Sequence, residues 1–284
     1  MKQYVIVGHE NPDLDSVISG YLLEQLLKRK GYSVQFIIPD KEIDTDTKTL
    51  CQKYGIDVTL HQKDWVIDAD YILVDHHERK VPGNIVAIID HHPTSKIIDC
   101  PYLINKHICS TAMLIYELFS DFFLEEEKKL VVLANLVDTV AFHLPDKYRE
   151  VDIQLTKELC QQLNLDYQLL EQDGMMVTSL KDLSKTYCNG LKRYQFGNYI
   201  VMSSYIQVEK VTKEQKDSLI SFCTKRLIEE KLDLYVFLIM TFLDNKTMVY
   251  YITKDDIKVE PYSYFVSRGS VIMPKVETYF LQKK

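Results

Sequence analysis

YVIVGHENPDLD, residues 4–15, sets four apolar residues against a turn that carries His9, Asp13 and Asp15. An apolar run cut off by Gly8 and Pro12 reads as a short buried strand followed by a stiff loop, because proline fixes its own φ and restricts the residue before it. The construction recurs in YILVDHH (71–77) and IVAIIDHH (85–92), where each apolar run stops at Asp-His-His. Between them the pattern turns helical. A helix is expected to open at Ser16, to bury a stripe of Val17, Ile18, Tyr21, Leu22 and Leu26, and to close at Gly31. A strand at 34–38 ends at Pro39, and a second helix at 47–54 stops at Gly55. Strands alternating with helices predict an α/β chain whose N-terminal part is a doubly wound, mainly parallel sheet. Such sheets bind ligands beyond the carboxyl ends of their strands, and His9, Asp75 and Asp90 are all expected there.

Helices follow at 110–119, 125–140 and 151–163, with Asp138 near the end of the middle one. The polar stretch 179–190 is the expected boundary. Beyond it, strands at 199–206, 234–242 and 248–252 and a helix at 213–230 form a smaller α/β domain. The expected division is 1–180 and 190–284, with the active site in the cleft between the two domains.

Bulk composition narrows the function classes. The 284 residues are 46% apolar and carry a formal charge of −7. That balance argues against nucleic acid as the main partner, which requires a basic surface. No apolar stretch approaches the roughly 20 residues of a membrane span, and the polar N-terminus does not resemble a signal peptide. The six cysteines show no CxxC spacing and read as reduced thiols of a cytoplasmic protein.

Six oxygen and nitrogen donors remain to be explained: His9, Asp13, Asp15, Asp75, His91 and Asp138. Any one of these aspartates, alone, reads as a turn or helix cap. Together with Asp90 they would bring five carboxylates into one pocket, a repulsion that metal ions relieve. Donors without thiolate favour Mn2+, with Co2+ or Mg2+ as alternatives, over structural zinc. Two ions about 3.5–4 Å apart, bridged by Asp75, activate water for displacement at phosphorus. His92 is expected to face the substrate phosphate or the leaving group rather than its neighbour's ion. Asp90, His76 and His77 are expected to orient the ligand imidazoles, which makes His92, Asp75 and Asp90 the catalytic set. His61, His107 and His143 lack any such context. Ser110 and Thr111 read as helix N-caps, with a weaker second reading as a phosphate-binding helix end.

The tracts GHENPDLDS, LVDHHE, DHH and LVDT resemble, in order and approximate spacing, the four motifs of the DHH phosphoesterase superfamily. The likeness is greatest to the manganese-dependent (family II) inorganic pyrophosphatases and related exopolyphosphatases. KRYQFGNYIVMSSYIQVE, LDLYVFLIMTFLDN and FVSRGSVIMP resemble successive parts of the DHHA2 domain that closes over substrate in that family. The resemblance implies two Mn2+ per chain, one on His9, Asp13 and Asp75 and the other on Asp15, Asp75, His91 and Asp138. It also implies that His92, Lys192 and Arg268 bind the substrate, a small phosphate compound, and a homodimer is the assembly considered. Three positions depart from the family pattern. Gly269 stands where a phosphate-binding lysine usually follows the arginine, Gly190 replaces an acidic residue, and Thr241 replaces an aspartate. The expected activity is pyrophosphate hydrolysis. The alternatives are exopolyphosphatase or another small phosphate-ester hydrolase, and a protein that binds metal and phosphate without turnover. A DHHA1-type phosphodiesterase would carry a GGGH tract, and none of the nine glycines here adjoins another.

Overall fold

The computed structural model describes residues 3–41, 43, 45–93 and 98–282. Thr94 and Ser95, which follow the second His-His pair, lie outside them. The chain divides into two compact units, one of residues 1–142 and 147–175, the other of 143–146 and 176–284.

The first unit is built on a five-stranded sheet in the order β2-β1-β3-β4-β5, parallel throughout. Its strands are β1 Tyr4–Val7, β2 Val34–Ile37, β3 Asp70–Val74, β4 Asn84–Asp90 and β5 Tyr102–Asn105. The chain steps from β1 outward to β2, then crosses to the other side of β1 for β3. The switch point between β1 and β3 is where such sheets leave a crevice at the strands' carboxyl ends. His9 and Asp75 follow those two strands. Asp90 was expected just beyond its strand and is instead the last residue of β4, because its backbone still pairs with Asn105 of β5.

Helix α1 runs Leu14–Arg29, two residues ahead of the expected start. The reason is local: Asp13 is the N-cap, its Oδ1 accepting from Ser16 N at 3.2 Å, so Asp15 lies in the first turn and not in a loop. At the other end Gly31 takes φ +84°. Its N–H reaches Lys28 O and that of Tyr32 reaches Leu27 O, a glycine-terminated C-cap. The remaining helices are α2 Thr45–Lys53, α3 Thr111–Phe119, α4 Glu125–Asp138, α5 Glu150–Gln162 and α6 Tyr167–Met175. Val5, Val7, Tyr71, Leu73 and Ile88 pack into a core on one face of the sheet.

After a single turn, α7 Leu183–Thr186, the second unit forms a mixed sheet in the order β10-β9-β8-β7-β6. Its strands are β6 Lys192–Phe196, β7 Tyr199–Val208, β8 Leu234–Thr241, β9 Lys246–Ile252 and β10 Ile257–Tyr262. Only β7 and β8 run parallel, joined through α8 Lys213–Glu229. Alternate residues of β8 face opposite layers. Tyr235, Phe237 and Ile239 pack with Leu219, Cys223 and Leu227 of α8, while Val236 and Leu238 pack with Val276 and Phe280 of α9 Met273–Leu281. A strand buried on both faces is apolar throughout, as LYVFLIM is. Among the described residues the six cysteines form no disulfide, and no helix is long and apolar enough to cross a membrane.

Candidate metal centre

The centre begins at Gly8, where a Cβ would lie 2.3 Å from Ser16 Oγ. Without a side chain there, the loop lies close over the start of α1, and His9 N donates to Ser16 Oγ at 3.1 Å. Arg79 secures the same loop by donating to Gly8 O and His9 O at 3.0 and 2.9 Å and to both carboxylate oxygens of Asp40. His9 Nε2 then stands 3.3 Å from Asp13 Oδ2 and 3.6 Å from Asp75 Oδ2. Across the crevice, His91 Nε2 stands 3.4 Å from Asp75 Oδ1, 3.7 Å from Asp138 Oδ2 and 3.9 Å from Asp15 Oδ2. Asp75 thus turns one oxygen to each imidazole. All six donors expected from the sequence are brought together, at the ends of β1, β3, β4 and α4 and the start of α1.

Each of these two imidazoles is oriented from behind. His9 Nδ1 lies 2.9 Å from Glu10 O and His91 Nδ1 lies 2.9 Å from Ile108 O. A carbonyl only accepts, so in the neutral ring Nδ1 carries the hydrogen and Nε2 keeps its lone pair. Both Nε2 atoms are buried and have no hydrogen-bond partner among the described residues. The loop holding Ile108 is itself pinned, since Cys109 N donates to the buried Asp152 at 3.1 Å. Asp15 receives Thr111 N at 2.8 Å, Ala112 N at 3.0 Å and Ser19 Oγ at 3.2 Å. The N-terminus of α3 therefore holds a carboxylate of the protein, where the second sequence reading had a phosphate. Ser110 is its N-cap, and Thr111 Oγ1 donates to Asp75 Oδ1 at 3.1 Å.

Asp90 lies fully buried between two other histidines. It accepts from His77 Nδ1 at 2.5 Å and from both N and Nδ1 of His92 at 3.0 and 2.9 Å. Burial raises its pKa, but these hydrogen bonds and the His92 charge outweigh that and hold it well below the usual carboxylate range. His92 Nδ1 comes within 3.6 Å of Asp75, nearer the shared carboxylate than its expected separation from its neighbour's ion suggests. That nitrogen already donates to Asp90 and offers no lone pair to a cation. His76 points its Nδ1 at Val74 O, 2.9 Å away at the end of β3, rather than at one of the candidate donors.

The electrostatics match a cation site. Burial first, then neighbouring carboxylates, push Asp75 well above and Asp15 above the ordinary carboxylate pKa. Burial works against a charge on His91, yet Asp75, 3.4 Å from its Nε2, and the charges of Asp138 and Asp15 raise its pKa to about 10. Acidic groups that draw a proton onto a buried imidazole are short of positive charge. A divalent cation supplies it at the same place, releasing the proton. His9, Asp13 and Asp75 offer donor atoms within 4.8 Å of one another, and the unpartnered Nε2 atoms fit a metal better than any hydrogen bond.

Residues 3–142 match the sequence profile of the DHH family, N-terminal domain. This N-terminal domain belongs to the DHH family. Over its length the chain is 25% identical to the manganese-dependent inorganic pyrophosphatase of Methanocaldococcus jannaschii, covering 96% of this chain and 97% of that one. It is 24% identical to the manganese-dependent inorganic pyrophosphatase of Bacillus subtilis (strain 168), covering 92% and 89%. Among solved structures, a Methanococcus jannaschii protein assigned to the family II inorganic pyrophosphatases shares the fold. Its TM-score is 0.71 at 23% identity, covering 97% of this chain and 99% of that one.

The first unit also contains residues that these motifs do not announce. Lys147 donates to both oxygens of Asp138 at 2.7 and 2.9 Å. Against burial, its ammonium and His91 hold Asp138 below the usual carboxylate pKa. Thr111, Arg79 and Asp152 were also passed over as supports. Only Thr111, a hydroxyl two residues past Cys109 at a helix start, gave any local signal. In the second unit, Lys192 pairs with Ser203 in register. Arg268 donates to Gly190 O and to Ser203 O, its guanidinium carbon 5.1 Å from the Tyr205 ring centre. These two expected clamp residues thus gather on one strand residue. His61 is buried and His143 half-buried, and their rings pack beside Phe36 and beside Phe242 and Phe265 respectively.

Proposed function

We propose that this DHH protein is a cytoplasmic, manganese-dependent phosphohydrolase that cleaves a phosphoanhydride, with inorganic pyrophosphate as substrate and two phosphates as products. The observation that carries the reading is Asp75, one carboxylate turned between two imidazoles whose Nε2 atoms are buried and otherwise unpartnered. His9, Asp13 and Asp75 would hold one Mn2+, and Asp15, Asp75, His91 and Asp138 the other. Co2+ and Mg2+ suit the same donors. When bound, such a pair supplies an activated water and neutralises phosphate charge. Asp90 keeps the His92 hydrogen on Nδ1 and favours a charge on the ring. Burial and the His91 charge outweigh it and lower the pKa to about 4, so His92 would face the substrate phosphate as a neutral ring. Lys192 and Arg268 would hold the other phosphate. The names of the relatives support the substrate, and the cluster's donor chemistry supports the metal.

Phosphate release from pyrophosphate is expected with Mn2+ and expected to vanish in EDTA; a rate indifferent to chelation would discard the mechanism. A second reading, exopolyphosphatase, draws on Arg268, whose guanidinium is engaged with backbone carbonyls, and on Gly269, which leaves open space beside it. Tripolyphosphate hydrolysed faster than pyrophosphate would favour it.

A further inference from the structure

We propose that Tyr205 is a positioning residue for substrate binding: its ring face holds the Arg268 guanidinium so that one edge of the fork stays open to a phosphate group. The inference rests on the reading above in which Arg268 binds the substrate.

The guanidinium is placed by groups of the second unit. Arg268 Nη1 donates to Gly190 O and to Ser203 O, the latter at 3.4 Å, and the guanidinium carbon stands over the Tyr205 ring, 5.1 Å from its centre. At that range the ring quadrupole attracts a cation. A guanidinium carries five N–H hydrogens, and the two carbonyls take the two on Nη1. The Nε–Nη2 edge keeps the other three. Among the described residues that edge meets no acceptor, and no carboxylate forms an ion pair with the group. Two N–H groups on one edge match two oxygens of a phosphate. A carboxylate could also hold the guanidinium, but it would compete with an anionic substrate for those donors. An aromatic face holds the cation and leaves its donors and its charge available.

Both partners are anchored. Tyr205 lies two residues beyond Ser203 on β7, so its side chain points to the same face of the sheet as those of Ser203 and of Lys192, the register partner of Ser203. Tyr205 N donates to Asn189 O at 3.1 Å, which brings the ring against Gly190. A Cβ at Gly190 would lie 2.3 Å from Tyr205 Cε1, so the ring fills the space a side chain at 190 would need. Arg268 opens a turn whose N-cap, the buried Ser267, accepts from Ser270 N at 3.1 Å. One residue earlier, Val266 N donates to the buried Thr247 Oγ1 at 3.2 Å, which ties the turn to β9.

The test is a double-mutant cycle on the full chain with Mn2+. It reads kcat and KM for pyrophosphate and, by calorimetry, the Kd of imidodiphosphate as a slowly hydrolysed analogue. Tyr205→Leu is expected to raise KM and Kd by about tenfold while kcat changes by less than about twofold. Tyr205→Met, which fills the space without a π face, is expected to behave likewise, and Tyr205→Phe, which keeps the ring, to stay within about twofold of the wild type. In the Arg268→Ala background, Tyr205→Leu is expected to change neither constant further, a non-additivity that a purely structural tyrosine would not show. Unchanged constants in Tyr205→Leu and Tyr205→Met, or an equal rise with and without Arg268, would overturn the proposal and leave Arg268 in the substrate site. Unchanged constants in Arg268→Ala would remove Arg268 from that site and overturn both.

Discussion

Asp75 is held in a backbone conformation with φ of 64°, in the left-handed region that a non-glycine residue adopts at an energetic cost. What over-determines it is visible: its N–H donates to Ile89 O at 2.9 Å, and its Oδ1 accepts from Thr111. Burying this carboxylate among others raises its pKa, so without metal its charge opposes folding. Asp75→Asn is therefore expected to have opposite effects on function and stability. Mn2+ binding at both positions and activity are lost, while the metal-free protein becomes more resistant to heat or urea. Calorimetric titration and chelator-treated melting curves check the two halves, and retained tight Mn2+ binding would remove Asp75 from its bridging role. The six candidate donors that the structure gathers were legible in the sequence because each lies at or near the end of a regular element, where local pattern predicts position. Lys147 and Arg79 could not. Their partners lie 9, 39 and 70–71 residues away, and nothing about an isolated Lys or Arg distinguishes such a contact from a solvated charge.

Strands and helices follow the same division. The strands recognised in advance are the apolar ones; those passed over, β5, β6 and β10, lie at sheet edges with many exposed residues and carry the polar or mixed sequences YLIN, KRYQF and IKVEPY. An edge strand has one partner and less to bury, so its pattern is weak. Two glycines next to the clamp show how element geometry constrains sequence. At Gly190 φ is +57° and a Cβ would meet the Tyr205 ring at 2.3 Å, so the missing acidic side chain has no room there. Gly190→Ala is expected to destabilise the protein by about 1–3 kcal/mol. At Gly269 a Cβ would meet nothing within 4 Å, and the residue lies in a π-helical turn, Arg268–Ile272, without a positive φ. Gly269→Lys should fold normally, and a charge-assisted phosphate contact there, about 1.5–3 kcal/mol, should lower the KM for pyrophosphate by about ten- to a hundredfold. An unchanged KM would take this position out of the substrate site.

Across the whole molecule, every proposed metal donor belongs to the first unit, whereas the second carries its own two-faced core around β8. Ligand binding stabilises only what it binds. Mn2+ is therefore expected to slow amide hydrogen exchange in β1, β3, β4 and the start of α3 while leaving β8 and α8 nearly unaffected. Equal protection of both units would contradict a centre confined to the first.

Val140, Ala141 and Phe142 take φ of 52°, 52° and 62°, and this left-handed passage limits how the chain can vary in length. Torsions that L-residues barely tolerate have no neighbouring basin to slide into, so the run cannot absorb an added or missing residue as an ordinary surface turn does. Insertions and deletions just after Asp138 should be rejected, even where single substitutions are accepted.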